Sequence, residues 1–174
     1  MELYFLRHGP AGQHGDPKYK DDSLRPLTAQ GREKMQYAAL GMKNLGLTFD
    51  AILSSPYVRA RQTAEITAQA FKIKNNAIHY TENLLPPATI EELLREVQTL
   101  KVGAKSCLSL LLVGHEPHLT EMISSLLKSN KPLVIDLKKG GLCSLTVSRP
   151  LGNESAVLNW LLTPAQLNLF NPAF

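Results

Sequence analysis

The stretch "CLSLLLVGH", residues 107–115, decides the fold. Leucines and a valine occupy almost every position, so no polar face alternates with an apolar one. A strand apolar on both faces belongs in the middle of a parallel sheet with helices above and below it. Working outward, "ELYFLR" (2–7) and "DAILSS" (50–55) read as further strands of this kind, and residues 77–81 as a weaker one. Helical periodicity fills the gaps between them. Thr28 caps a helix to about Gly46, with Met35, Ala38, Met42 and Leu45 on one face. Pro56 opens a helix to about Phe71, as proline suits a first turn. "TIEELLREVQTL" (89–100) starts with a capping box from Thr89 to Glu92, and Pro117 opens a helix to about Lys128. The tail, "GGLCSLTVSR" and "SAVLNWLLT", reads as two antiparallel strands around the turn "PLGNE". Strands alternating with helices predict an α/β fold with a mainly parallel sheet covered on both faces and an antiparallel C-terminal hairpin.

Size and charge narrow the classes of function. The 174 residues suit one domain, 1–174, large enough to bury a substantial core. No segment has the length of apolar sequence that crosses a bilayer, and "MELYFLRHG" lacks the pattern of a signal peptide. The expected location is therefore the cytoplasm, with no membrane partner. The net charge of +4 favours an anionic substrate or partner. Nucleic acid is disfavoured, because the longest basic cluster is Lys138-Lys139 and no stripe of basic and aromatic residues accompanies it. Cys107 and Cys143 lie in separate apolar runs and read as buried thiols.

Ligands of parallel sheets sit beyond the carboxyl ends of the strands. Three such ends carry chemistry here: Arg7-His8, Ser54-Ser55-Pro56 and Gly114-His115. Arg59 and Arg61 follow in the first turns of the helix after Pro56. His8, on an exposed strand-end loop, joins His115, Arg7 and Arg59 around one crevice, and their common purpose is a phosphoryl group. Arginine forks match phosphate oxygens and stay charged. Helix N-termini after Pro56 and Pro117 add N–H groups. A neutral imidazole attacks phosphorus without a separate base, provided a backbone carbonyl holds its other nitrogen in the right tautomer. Arg61 points elsewhere on its helix, to solvent or a salt bridge. His14, His79 and His118 have no comparable support, and His118 reads as a solvated helix residue.

"LRHG", "SSPYVRARQTAE" and "LLVGHEPHL" together resemble the histidine phosphatase superfamily. Its core is an RHG histidine, a second arginine in an S-P-x-x-R-x-x-Q-T segment, and a late G-H. With "DSLRPLTAQG" (22–31), "LNWLLTP" and the short length, the chain is most similar to the SixA-type phosphohistidine phosphatases. The resemblance implies a three-layer α/β/α sandwich and no metal or other cofactor. It implies that His8 is the phosphorylated nucleophile and that Arg7, Arg59 and His115 bind the phosphoryl oxygens. Arg25 is implied as a further phosphate contact, with Gly9 and Ser55 beside the substrate. A phosphohistidine-bearing protein, such as a phosphorelay domain, becomes the expected partner.

Two features depart from the family pattern. Pro10 stands where many members carry an acidic residue. The chain also has little room for the lid that supplies a catalytic Glu in larger members, and leaves only Glu82 in "TENLLPPAT" as a possible general acid. A P–N substrate tolerates a weak acid better than an ester does. Two alternatives remain open: a small-molecule phosphomonoesterase of the same superfamily, and a non-catalytic phosphohistidine-binding module. "CSLTVSR" (143–149) has the Cys-to-Arg spacing of thiol phosphatases. Its strand-like alternation holds Cys143 and Arg149 at opposite ends of an extended segment, which excludes a phosphate-cradling loop.

Overall fold

In the computed structural model, residues 1–85, 88–102, 105–128, 133–151 and 156–172 are described. In chain order the elements are β1 (Glu2–Arg7), α1 (Ala29–Asn44), β2 (Ala51–Ser54), α2 (Val58–Phe71), β3 (Ile78–Tyr80), α3 (Ile90–Thr99), β4 (Lys101–Val102), β5 (Lys105–Ser106), β6 (Ser109–Gly114), α4 (His118–Leu126), β7 (Leu142–Thr146), β8 (Val157–Leu162) and α5 (Pro164–Asn168). Six strands form one sheet in the order β3-β2-β6-β1-β7-β8. β3, β2, β6 and β1 are mutually parallel, and β7 and β8 add the antiparallel hairpin. The fold class read from the sequence is thus the observed one. The two-residue ribbon of β4 and β5 was not foreseen, and most of the turn "PLGNE" lies outside the described residues.

The central strands show why the apolar runs need two covered faces. Leu3 and Phe5 of β1, Ala51 and Leu53 of β2, and Leu110 and Leu112 of β6 face one core, completed by Leu93 and Val97 of α3 and Leu119, Met122 and Ile123 of α4. Their neighbours Tyr4, Leu6, Ile52, Leu111 and Val113 face a second core with Met35, Ala38 and Met42 of α1, Ala60, Ala64 and Ala68 of α2, and Leu167 of α5. Each fully buried leucine or phenylalanine contributes about 1.5–3 kcal/mol relative to exposure. A charge on either face would therefore cost the sheet heavily.

Helix boundaries follow local chemistry. Thr28 Oγ1 accepts from the Gly31 amide and caps α1 as expected, and the Thr89–Glu92 capping box of α3 is complete. Two expectations shift. Pro56 precedes the N-cap residue Tyr57 instead of opening the helix, because Ser55 still donates its amide to Val113 O at 2.9 Å. Pro117 is the N-cap of α4, not its first residue. Sheet register then levels the strand ends: Arg7 pairs with Gly114, and Ser54 with Val113. His8, Ser55 and His115 emerge side by side.

Candidate active site

The ends of β1 and β6 meet Arg59 of α2 in a crevice of about 500 Å3, walled by Arg7, His8, Ala11, Gly12, Gln13, His14, Asp22, Arg25, Arg59, His115, Glu116 and Lys139. The sequence placed His8 on an exposed loop, yet it is only 6% exposed. Its amide donates to Gly114 O at 3.0 Å, which seats it against β6. Its Nδ1 lies 2.7 Å from Gly9 O and donates to it. That bond fixes the tautomer whose Nε2 keeps a free lone pair. Burial, with the neighbouring His115, Arg59 and Arg7, lowers the His8 pKa to about 3. The ring is neutral and nucleophilic at ordinary pH.

Gly9 is a close-approach position. A Cβ there would lie 2.5 Å from Met35 Cγ on α1. Its amide donates to Thr63 Oγ1 at 3.1 Å, and Thr63 Oγ1 donates in turn to Arg59 O at 2.8 Å. Gly9 therefore ties the His8 strand end to α2 and is not itself a wall of the crevice.

His115 lies beside His8, with ring centroids 5.0 Å apart. Its Nε2 is 2.8 Å from Ser55 Oγ, and the same oxygen accepts the Tyr57 amide at 3.3 Å. With the Ser55 hydroxyl donating to Nε2, His115 keeps its proton on Nδ1 as a donor. Burial, followed by the charge of Arg59, lowers its pKa to about 3. Ser55, expected beside the substrate, is buried and bonded to His115 instead of lining the crevice.

The arginines are held from outside. Arg7 Nη1 donates to Leu137 O at 2.9 Å. Arg25 donates through Nε to Asp22 Oδ1 at 2.8 Å and through Nη1 to Gly12 O at 2.6 Å. Arg59 donates through Nη2 to Asp22 Oδ2 at 3.0 Å and through Nη1 to Asp22 O at 2.8 Å. Asp22 also receives His14 Nδ1 at 3.0 Å. Hydrogen bonds from Arg25 lead the effects that hold the Asp22 carboxyl well below the usual range. The loop carrying Asp22 is pinned by Thr28 N to Pro10 O and Gly12 N to Pro26 O.

Among the described residues, the buried side-chain polar atoms with no partner are Arg7 Nε, Arg59 Nε, His115 Nδ1 and Glu116 Oε1. All four residues wall this crevice. Three of these atoms are hydrogen-bond donors, as an anion site requires. The fourth belongs to a carboxyl that burial pushes above its ordinary pKa, although Thr120 Oγ1 donates to its other oxygen at 2.6 Å.

The structure thus brings together Arg7, His8, Arg25, Arg59 and His115. Glu82 lies exposed on the 3-10 turn Glu82–Leu84, outside the crevice walls. His118, read as solvated, is buried, with Nε2 3.1 Å from Asn83 O. Arg61 is exposed and paired with Glu65, as read. Sequence reading missed Asp22, His14, Glu116 and Lys139 as walls. Two signals were present: Asp22 stands three residues before Arg25, and Glu116 directly follows His115. Cys143 is buried in β7, while Arg149 donates to Cys107 O, so the thiol-phosphatase spacing forms no site.

Comparison with known proteins agrees with this geometry. Residues 3–85 match the model of the histidine phosphatase superfamily, branch 1. An uncharacterised protein of Picosynechococcus sp. is 36% identical over 145 residues, 83% of this chain and 84% of its own. The chain belongs to the histidine phosphatase superfamily. Phosphohistidine phosphatase SixA of Escherichia coli is 25% identical over 169 residues, covering 97% of this chain and 98% of that protein. The same fold appears in a protein histidine phosphatase SixA solved with tungstate (TM-score 0.79, 23% identity, 96% and 99% coverage). It also appears in an α-ribazole phosphatase of Shigella flexneri (TM-score 0.71, 16% identity, 94% and 97% coverage). Superfamily membership and SixA similarity make this chain a phosphatase. Among the described residues, no helix is long and apolar enough to cross a membrane.

Proposed function

We propose that this phosphatase removes the phosphoryl group from a histidine on a protein, through a phospho-His8 intermediate. The observation that carries the proposal is the neutral His8 ring, held by Gly9 O with Nε2 free, beside the unpartnered donors of Arg7, Arg59 and His115. His8 Nε2 attacks phosphorus, and the bond from phosphorus to the substrate's ring nitrogen breaks. Its electron pair stays on that nitrogen, which takes a proton from the Glu116 carboxyl. Water then attacks phospho-His8, phosphate leaves, the electron pair returns to His8, and the water's proton returns to Glu116. Arg7, Arg25, Arg59 and His115 stabilise the charge on the equatorial oxygens.

Likeness to E. coli SixA over nearly the whole chain supports a protein phosphohistidine as substrate. So do the crevice walls. Among the described residues they come from strand ends, the loop 11–25, Arg59 of α2 and Lys139, and the segment between β3 and β6 contributes none. Two free buried thiols, Cys107 and Cys143, fit a cytoplasmic setting. The test is a comparison of kcat/KM on a phosphohistidine protein, a phosphoserine protein and small phosphate esters. Preference for phosphohistidine is expected. Preference for a sugar or nucleotide ester supports the small-molecule reading, and binding without turnover supports a non-catalytic module.

A further inference from the structure

A second cavity opens beside the catalytic crevice. It measures about 530 Å3 and runs between α1, α5 and the turn before β7. Its lining combines the apolar faces of Pro10, Tyr37 and Pro164 with the exposed Lys34, Lys138 and Lys139. The two cavities adjoin, because Lys139 walls both and Pro10 lies two residues beyond His8. The turn that carries the lysines is fastened to the nucleophile's own backbone. Gly140 donates its amide to Arg7 O at 3.0 Å and His8 O at 3.2 Å, and Arg7 donates to Gly141 O at 3.2 Å. The three lysines are exposed, and among the described residues the one carboxylate paired with them is Asp136, on Lys138. A cavity that shares Lys139 with the crevice and combines three lysines with apolar lining selects its occupant by charge.

Resting on the proposed phosphohistidine activity, we infer that this groove docks an acidic segment of the substrate protein that flanks the phosphohistidine. Carboxylates of that segment meet Lys34 and Lys138, while its apolar side chains lie over Pro10, Tyr37 and Pro164. Rim charges act mainly on encounter and binding, not on the chemical step. The groove therefore lowers KM for a flanked substrate and leaves the turnover of free phosphohistidine untouched.

The probes are two synthetic peptides with the same phosphohistidine, one flanked by glutamates and one by lysines, together with free phosphohistidine. Wild-type enzyme is expected to favour the glutamate-flanked peptide by about tenfold in kcat/KM, with the preference falling as salt rises. The exposed double variant K34E/K138E loses that preference through KM, and K34Q/K138Q loses it in part. Both keep the wild-type rate on free phosphohistidine. Equal wild-type rates on the two peptides, or a preference that survives in K34E/K138E, overturn the docking site. A change of oligomeric state in K34E/K138E with the peptide preference intact also overturns it, in favour of a second copy as occupant. Wild-type enzyme that cleaves small esters but no phosphohistidine probe overturns the proposed activity itself, and the groove's occupant with it.

Discussion

Asp22 and Arg59 are joined twice. Arg59 Nη2 donates to the Asp22 carboxylate at 3.0 Å, and Nη1 donates to the Asp22 carbonyl at 2.8 Å. Both contacts use the terminal nitrogens of the guanidinium and leave Nε buried and unpartnered. The same carboxylate takes Arg25 Nε at 2.8 Å. One acidic side chain therefore orients two arginines of the crevice wall, the two proposed to bind phosphate. D22A is expected to lower kcat/KM by about 10–100-fold, chiefly through KM, because the forks lose their alignment. Both variants keep the main-chain carbonyl bond to Arg59, but D22N also keeps the side chain's shape and an acceptor oxygen, and loses less. Breaking a fully buried pair costs about 3–5 kcal/mol. Asp22 is 36% exposed, so the stability loss is smaller than that. Steady-state kinetics and denaturant melts check both parts. A D22A enzyme with unchanged KM removes the positioning role.

The nucleophile assignment predicts a phosphoenzyme with P–N chemistry. Enzyme labelled with a phosphohistidine substrate and quenched should lose its label in acid and keep it in alkali. H8A should form no label and show no turnover. His8 is buried but sits at a strand end with a neutral ring, so H8A keeps the fold, which circular dichroism verifies. Residual activity above a few per cent, or acid-stable label on Ser54 or Ser55, contradicts the assignment.

Acid should destabilise the protein through the two crevice histidines. His8 and His115 are each lowered to about 3, first by burial. An unfolded imidazole titrates at about 6.5. Between these values the unfolded chain binds more protons than the folded one, so stability rises with pH across that window and levels off above it. The melting temperature should accordingly fall as pH drops below about 6.5. H8A should flatten part of that slope. Asp22, whose carboxyl is also lowered, adds a further loss only in the carboxylate range below about 4. Imidazole titration followed by NMR gives the direct check. A His8 pKa near 6.5 contradicts the buried, neutral nucleophile.

The sheet and the gathering of Arg7, His8 and His115 at its strand ends were legible in the sequence because their signals are local. A doubly apolar strand such as Leu110–Val113 is written in consecutive letters, and Arg7-His8 and His115 sit at the strands' last residues. Asp22 was less legible. Its partner Arg25 is three residues away, but Arg59 is reached only when the loop folds over α2. The same holds for the basic groove, whose lysines come from α1 and the turn before β7. Burial escaped the sequence for a related reason. His8 and His118 are polar residues at element ends, where solvent is the usual surrounding. Here Gly9 and Asn83 supply carbonyl partners that make burial tolerable.

The proton donor separates Glu116 from Glu82. Glu82 is exposed and outside the crevice walls, while Glu116 is half-buried, walls the crevice and has a raised pKa caused first by desolvation. A carboxyl whose proton burial holds more tightly than usual is suited to give it up as the leaving group departs. E116Q should therefore slow phosphate esters by about 10²–10⁴-fold, the usual range for general acid catalysis. It should slow phosphohistidine less, because a ring nitrogen leaves readily once solvent protonates it. E82Q should change neither substrate. The ratio of the two kcat/KM losses isolates proton donation, since damage to phosphate binding lowers both alike. T120V supplies a second variant. It removes the hydroxyl that stabilises the Glu116 carboxylate, which raises the Glu116 pKa further and moves the basic limb of the ester pH profile upward. A selective ester loss in E82Q with none in E116Q returns the role to Glu82. Equal losses on both substrates in E116Q assign Glu116 to phosphate binding and not to proton transfer.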